Sequence, residues 1–403
     1  MNMQNRKKQG KQLCIFYAAG PGDIVTTFSC WQEGRDDPHQ VAVTYSSQFF
    51  DLCRTLGAKG VAVSSCPRTD RITTAQFIVE NLPKGPASNG IAFHTQQIRY
   101  VRKIIKRALA VDADLLVMAD STGHLFSLVW FAPKTMRLAV SLHCTLWPRS
   151  RDKTARARLT SLLSRRLFAN RAQAILCLSN DIRRQLLDMT RGNTVPIYPF
   201  IPFYRRKLFT TIQPPTEQRP FNLLYAGRME IEKGVYDLLE IALMLDRAGI
   251  DDVTLHLCGD GSEEDSLRMT ARSKGVEQLF HLHGYCHQQE MLEHINRSHA
   301  FIVPTRTSFE EGFNKVVAEA ILAGRPVITS SVCPALDYVK EAVVEAVPDD
   351  PSSYFEAVKK LSSSKDLYRE KQQGCKAVQE QFYDPDRSWG AALKKVIGSL
   401  PYG

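Results

Sequence analysis

No C-x-x-C pair occurs among the ten cysteines of this 403-residue chain. Their scatter argues against the short-range zinc and disulfide frameworks. Several sit in apolar runs, Cys14 in Leu13–Ala18 and Cys177 in Ala174–Leu178. They read as buried free thiols of a reducing compartment, and no metal is expected. Long hydrophobic runs are also missing. The first, Leu13–Ala19, is cut by Gly20-Pro21-Gly22, and the most apolar later stretch, Leu125–Ala132, is far short of the roughly 20 residues that span a bilayer. The chain is therefore expected in the cytoplasm, with a peripheral place on the inner face of the membrane open to it. Repeats of solenoid length and low-complexity tracts are absent, which excludes fibrous and disordered classes. Acidic excess is absent too. Fifty-two Lys+Arg against 42 Asp+Glu leave a charge of +10, which favours polyanionic partners without choosing among nucleic acid, anionic lipid and sugar-nucleotide phosphate.

What is present is an alternation of short β-rich runs with helix-length spacers. Candidate strands are Leu13–Ala18, Val41–Tyr45, Gly60–Ser64, Leu115–Ala119, Leu138–Leu142 and Ala174–Leu178. Continuous apolar runs spaced this way predict a parallel sheet covered on both faces, the α/β doubly wound pattern. Prolines crowd Val195–Pro215 and mark a linker. A second series follows with Phe221–Ala226, Val253–Cys258, Phe280–Leu282, Ala300–Val303, Pro326–Thr329 and Val343–Val347. Two Rossmann-like domains are thus expected, 1–205 and 206–384, facing each other across a cleft. The tail 385–403 is read as a helix over Asp386–Ile397, stopped at Gly398; a return to the first domain is open to it, and the sequence alone does not fix that.

Two segments carry chemistry. In Phe301–Ser330 a strand ends at Val303-Pro304-Thr305, a polar loop leads to Glu311-Gly312, and a helix of about ten residues stops before Gly324. Glu311 and Glu319 stand eight positions apart, about 12 Å along a helix. That roughly matches the span from sugar to ribose across a diphosphate. The free amides near Phe313, Asn314 and Lys315 favour phosphate oxygens, and Gly312 lets a ligand approach the backbone. In Phe221–Gly234 a strand runs into Gly227, followed by Arg228 and Lys233-Gly234. Two cations at a strand's carboxyl end can neutralise a diphosphate leaving group. The same residues also read as surface charges paired with Glu230 and Glu232.

The pattern G-R-x4-K-G, followed by E-G-F-x5-E, resembles family 4 of the retaining glycosyltransferases, with the GT-B fold. Gly259-Asp260-Gly261, His283-Gly284-Tyr285 and Val303-Pro304-Thr305 fit as landmarks between them. The resemblance is close from Phe221 to about Asp350 and rests on order and pattern before that. It implies that Arg228 and Lys233 hold the donor diphosphate, that Glu311 contacts the donor sugar and Glu319 the ribose, and that Tyr285-Cys286 borders the base. Asn314 and Lys315 depart from the family, where a small residue and then an apolar one are commoner.

The first domain adds Gly20-Pro21-Gly22-Asp23 after its first strand. The third glycine of G-x-G-x-x-G is replaced by Val25, so dinucleotide binding is not expected and the loop reads as reaching over donor or acceptor. His143 ends the strand Leu138–Leu142, where the resemblance puts a histidine beside the donor sugar; His94 and His124 are weaker candidates. Arg149–Arg171 holds eight basic residues and one acid, with leucines at helical spacing. It reads either as a helix lying on an anionic membrane or as one packing its leucines inward; Tyr100–Ala110 extends the same basic surface.

The expected activity is retaining transfer of a hexose from a UDP- or GDP-linked sugar to an acceptor hydroxyl, the acceptor being a saccharide or lipid-linked. No D-x-D motif precedes a plausible donor loop, so Arg228 and Lys233 would neutralise the leaving group without metal or other cofactor. Rival readings are a nucleotide-sugar epimerase of the same fold and a basic nucleic-acid-binding protein. The lack of aromatic–basic interleaving argues against nucleic acid as a partner.

Overall fold

The structure is a computed structural model that describes residues 12–86, 88–120, 124–149, 151–215 and 219–400. The basic stretch 1–11 lies outside these residues. The chain divides into two compact units. The first takes the chain up to Trp147, Lys153–Phe203 and the chain from Pro385; the second takes Pro148–Asp152 and Tyr204–Asp384.

The first unit is built on β1 (Cys14–Ala18), β2 (Lys59–Ser64), β3 (Asp70–Thr73), β4 (Phe77–Asn81), β5 (Leu115–Met118), β6 (Leu138–Leu142), β7 (Ala174–Cys177) and β8 (Ile197–Pro199). They form one sheet in the order β3-β4-β2-β1-β5-β6-β7-β8. All pairs are parallel except β3–β4. The inner strands β1, β5, β6 and β7 are buried along their whole length, as continuous apolar runs require when helices cover both faces.

Two first-unit expectations need correction. Val41–Tyr45 is not a strand. Thr44 is an extended N-cap whose side chain accepts from Ser47 N, and Tyr45 opens the helix Tyr45–Leu56. An N-cap residue has β-region dihedrals, so a β-branched run ending in a cap imitates a strand. The hairpin β3–β4 went unread because β3 is a charged, mostly exposed edge with no apolar run.

The C-terminal helix belongs to the first unit. It spans Trp389–Ser399, so Gly398 lies inside it and does not end it; its N-terminus is set by Ser388, whose side chain accepts from Ala391 N. Trp389 is fully buried and donates through Nε1 to Ser141 Oγ on β6 at 2.9 Å. Its ring lies 5.1 Å from that of Tyr17.

The second unit contains β9 (Phe221–Ala226), β10 (Val253–Cys258), β11 (Phe280–Gly284), β12 (Ala300–Val303), β13 (Val327–Ser330) and β14 (Val343–Ala346). The order is β11-β10-β9-β12-β13-β14, parallel throughout. Helix Val235–Arg247 packs Leu238, Ile241, Ala242 and Leu245 onto Leu223, Leu255 and Ile302. Among the described residues no helix is long and apolar enough to cross a membrane.

Candidate active site

In the second sheet β9 lies between β10 and β12, so the chain's winding reverses there. Ligands of open α/β sheets sit at the carboxyl ends of the strands at such a switch point. The loops leaving β9 and β12 are the two segments that the sequence singled out. Glycines let them meet. Gly234 has φ +77°, and a Cβ there would stand 2.1 Å from Pro304 O, after β12. A Cβ on Gly259 would stand 1.9 Å from Gly227 O, and one on Gly261 2.4 Å from Met229 O. The Gly259-Asp260-Gly261 turn is therefore a packing device for the loop after β9, tied by Met229 N donating to Asp260 O at 2.7 Å.

This close packing brings Lys233 to Glu311. Lys233 Nζ donates to Glu311 Oε2 at 2.6 Å, and Asn314 Nδ2 donates to the same oxygen at 2.9 Å. Gly312 N donates to Glu311 Oε1 at 3.1 Å. Both charged side chains are largely buried, 15% and 13% exposed. Lys233 therefore pairs with Glu311 and not with its neighbour Glu232. The ammonium also lies 3.8 Å from the centre of the Phe309 ring, and the Arg228 guanidinium 5.5 Å from it. Arg228 pairs with Glu230 at 2.7 Å and is 55% exposed, so its fork is held only loosely and can turn to an arriving anion.

Glu311 and Glu319 do not share a helix. The helix is Lys315–Leu322, Glu311 lies in the loop before it, and Asn314 forms its N-cap in the left-handed region at φ +59°. Glu319 is half-buried, with Tyr204 Oη 3.4 Å from its Oε1, while the same hydroxyl donates to Lys315 O at 3.1 Å. Burial pushes the Glu319 carboxyl up to about 7, against the opposing charge of Lys315. Burial likewise lowers the Lys315 ammonium. The extra cation expected at the helix start therefore faces Glu319, one turn along.

The reading of Phe313 concerned its backbone amide, and the structure adds where its side chain goes. It is 2% exposed and packs between Tyr338 and Phe382, so its side chain anchors the loop from the core. Asn314 Oδ1 is buried with no partner. An unpaired buried acceptor costs about 1–3 kcal/mol and fits a ligand donor such as a hydroxyl.

Tyr285 is about half exposed and follows Gly284, whose φ is +70°. Cys286 is half-buried and turns back toward Cys258.

Gly20, Gly22 and His143 belong to the first unit. In its sheet the winding reverses between β1 and β5, and the loop after β1 carries Gly20 and Gly22. A Cβ at either glycine would meet nothing within 4 Å, so packing does not demand glycine there. Asp23 caps the helix Ile24–Gln32 by accepting from Thr26 N. His143 follows β6 with Nε2 2.9 Å from Ser141 Oγ and its ring against Tyr45 and Phe200. His94 and His124 contact one another at 2.7 Å.

The family model described as Glycosyl transferases group 1 matches residues 210–377, and that described as Glycosyltransferase Family 4 matches 46–203. The chain belongs to the group 1 glycosyltransferases. Over 113 residues it is 35% identical to glycogen synthase of Mycobacterium tuberculosis, a stretch covering 28% of this chain and 26% of that protein. The match thus spans about a quarter of that relative's length. A sucrose-phosphate synthase of Thermosynechococcus elongatus superposes with a TM-score of 0.69 at 17% identity, over 95% of this chain and 97% of the other. The Anabaena HepE protein, solved with UDP and glucose, superposes with a TM-score of 0.63 at 14% identity, over 97% and 100%. At such identities the likeness is one of fold, and that fold is GT-B, with two Rossmann-like α/β units.

Sequence reasoning missed five residues that stand beside these loops or at the first sheet's edge. Phe309, under both cations, was signalled only as an aromatic in a polar loop. Tyr204 reaches Lys315 and Glu319 from 111 and 115 positions away, and nothing local marks it. In the first unit Lys84 Nζ binds Asp120 Oδ1 at 2.7 Å, and Ser65 Oγ donates to Asp120 Oδ2 at 2.8 Å. These residues follow β4, β5 and β2, and only sheet order places them at one edge.

Proposed function

We propose that this glycosyltransferase moves a hexose from a UDP- or GDP-linked sugar to an acceptor hydroxyl, with retention at the anomeric carbon. The observation that carries the reading is the meeting of Lys233, Glu311 and Asn314 at the switch point of the second sheet. A diphosphate there takes the ammonium of Lys233 and the movable guanidinium of Arg228 as counter-charges. Glu311 accepts from the donor sugar's hydroxyls, the unpartnered Asn314 Oδ1 takes another, and Glu319 accepts from the ribose. In the transfer, the acceptor oxygen bonds to the anomeric carbon on the face the phosphate leaves. The bond from that carbon to phosphate breaks, and the acceptor proton passes to the departing phosphate oxygen. Negative charge grows on the diphosphate as it departs, so the two cations bind the transition state more tightly than the ground state. The UDP and glucose in the Anabaena relative favour trying uridine donors first.

Calorimetry with UDP, GDP and their sugars tests the site. One of these should bind wild type and lose at least about tenfold in affinity in Lys233→Ala. Glu311→Ala should stay folded by circular dichroism and lose about 10²–10³ in turnover, the loss typical of a removed transition-state contact. Near-normal turnover in both variants, or no heat with any nucleotide, defeats the assignment.

The acceptor is proposed to be a saccharide, free or lipid-linked, met at an anionic membrane surface. Supporting this, helix Ala155–Arg166 leaves Leu159 and Leu162 57% and 67% exposed beside Arg156, Arg158 and Arg166. Trp130, on helix Ser127–Phe131, is 55% exposed. A basic helix that exposes leucines, together with an exposed tryptophan, suits a headgroup interface.

A further inference from the structure

Beside the turn expected to border the base, the second sheet's outer edge carries a cluster whose side chains the proposed transfer does not use. Cys258 ends β10, Cys286 lies in the turn after β11, and His294 sits on the helix Gln288–Arg297. Their sulfur and ring-nitrogen atoms all lie within 4.8 Å of one another. We infer that Cys258, Cys286 and His294 form a binding site for a thiophilic divalent cation, with Zn²⁺ the fitting ion.

The backbone builds the cluster deliberately. The β10–β11 register slips between Leu257 and Cys258, which sets Cys258 opposite Gly284. Gly259 N donates to Gly284 O at 2.7 Å and locks that pairing. Gly284, at φ +70°, then reverses the chain and folds Cys286 back over Cys258, so that the two thiols touch. The following helix is started by a capping box in which His287 N donates to Glu290 Oε2 at 2.8 Å, and this start fixes where His294 falls. Behind His294 stand more imidazoles. His283 packs its ring 4.2 Å from that of His294, and His256 Nδ1 lies 3.0 Å from His283 Nε2. Cys258 is fully buried, while Cys286 and His294 are half-buried, which gives an ion a path in.

The donor set selects the ion. Two thiolates and one neutral imidazole are soft and borderline ligands, suited to Zn²⁺ and unsuited to Mg²⁺ or Ca²⁺. Tetrahedral Zn²⁺, with bonds of about 2.3 Å to sulfur and 2.0–2.1 Å to nitrogen, holds two sulfurs and a nitrogen about 3.5–3.8 Å apart, so a contraction of about 1.3 Å at most completes the geometry. Binding displaces one proton from each thiol to solvent, and the ion's two charges cancel those of the two thiolates. The fourth position goes to water. The spacing C-x27-C-x7-H matches none of the short zinc motifs, so only the sheet assembles it. An ion here pins the β10 end, the Tyr285-Cys286 turn and the helix behind them as one piece. The inference stands independently of the proposed transfer.

The test uses the full chain, reduced with a phosphine, stripped with chelator and titrated with Co²⁺. One equivalent should bring a near-ultraviolet sulfur-to-cobalt charge-transfer band, which Zn²⁺ then abolishes. Cys286→Ser and His294→Ala, both at half-buried positions, should each weaken Co²⁺ binding more than about a hundredfold, beyond the loss typical of groups one step removed from a metal. Cys144→Ser, an exposed thiol of the first unit, should leave the band unchanged. No charge-transfer band in wild type overturns the site. So does a band retained in full by the Cys286→Ser/His294→Ala double variant, or one lost in Cys144→Ser.

Discussion

At the scale of the residue, Glu319 carries the sharpest consequence. Burial raises its carboxyl from 4.5 to about 7, so the folded chain keeps a proton that the unfolded chain releases. Stability is therefore greatest below about pH 4.5 on this group's account and falls as pH climbs through 7. Each pKa unit corresponds to about 1.4 kcal/mol, so the full loss is about 3 kcal/mol. Glu319→Gln removes the titrating group. Urea unfolding midpoints at pH 5 and pH 8 should differ less in this variant than in wild type, and an equal or larger difference refutes the account. The same burial sits beside the proposed ribose contact. A nucleotide's hydroxyls supply the donors that an ionised Glu319 lacks water to find, so nucleotide binding should help the carboxylate ionise.

Elements explain why few residues carry so much. Gly234 brings the loop after β9 against the loop after β12, and a methyl group there would meet the Pro304 carbonyl at 2.1 Å. Backbone cannot yield as a side chain does. Gly234→Ala combines overpacking with a left-handed backbone, and should cost about 2–4 kcal/mol. It should also weaken nucleotide binding, because Lys233 moves with its neighbour. Gly20→Ala serves as the contrast, since its Cβ meets open space; its unfolding midpoint should stay within error of wild type. If the two variants unfold alike, close approach is not what demands glycine at 234.

Much of this scale was legible. The strands Leu138–Leu142, Phe221–Ala226, Val253–Cys258 and Ala300–Val303 form with the ends the apolar runs gave them. Local burial alone sets those limits. Val41–Tyr45 failed because extended dihedrals at an N-cap and in a strand look the same in a short β-branched run. The helix start near Asn314 and Lys315 came out as read, but the helical measure of the Glu311–Glu319 span does not apply, because Glu311 lies in the loop before Asn314's left-handed turn.

For the whole molecule, the basic surplus of +10 becomes a question of where the charges lie. Arg156, Arg158 and Arg166 flank exposed leucines, and Arg102 and Lys103 lie on a second basic helix, Gly90–Ala110. Replacing Arg156, Arg158 and Arg166 by Glu should release the protein from vesicles rich in phosphatidylglycerol, by about 1 kcal/mol per charge removed. Transfer to a soluble acceptor should persist. Unchanged sedimentation with vesicles ends the membrane proposal.

The sequence by itself determined the two α/β series, the strand-to-loop positions of Arg228, Lys233 and Glu311, and the family they resemble. Each depends on residues close in the chain, where burial period, turn chemistry and motif spacing act directly. Only the tertiary structure decided that Lys233 pairs with Glu311, that Phe313 is core, that Tyr204 reaches Glu319, and that Cys258, Cys286 and His294 converge. Those contacts join residues brought together by strand order and register. Sheet pairing sets both through the packing of the whole unit, so no local pattern can encode them.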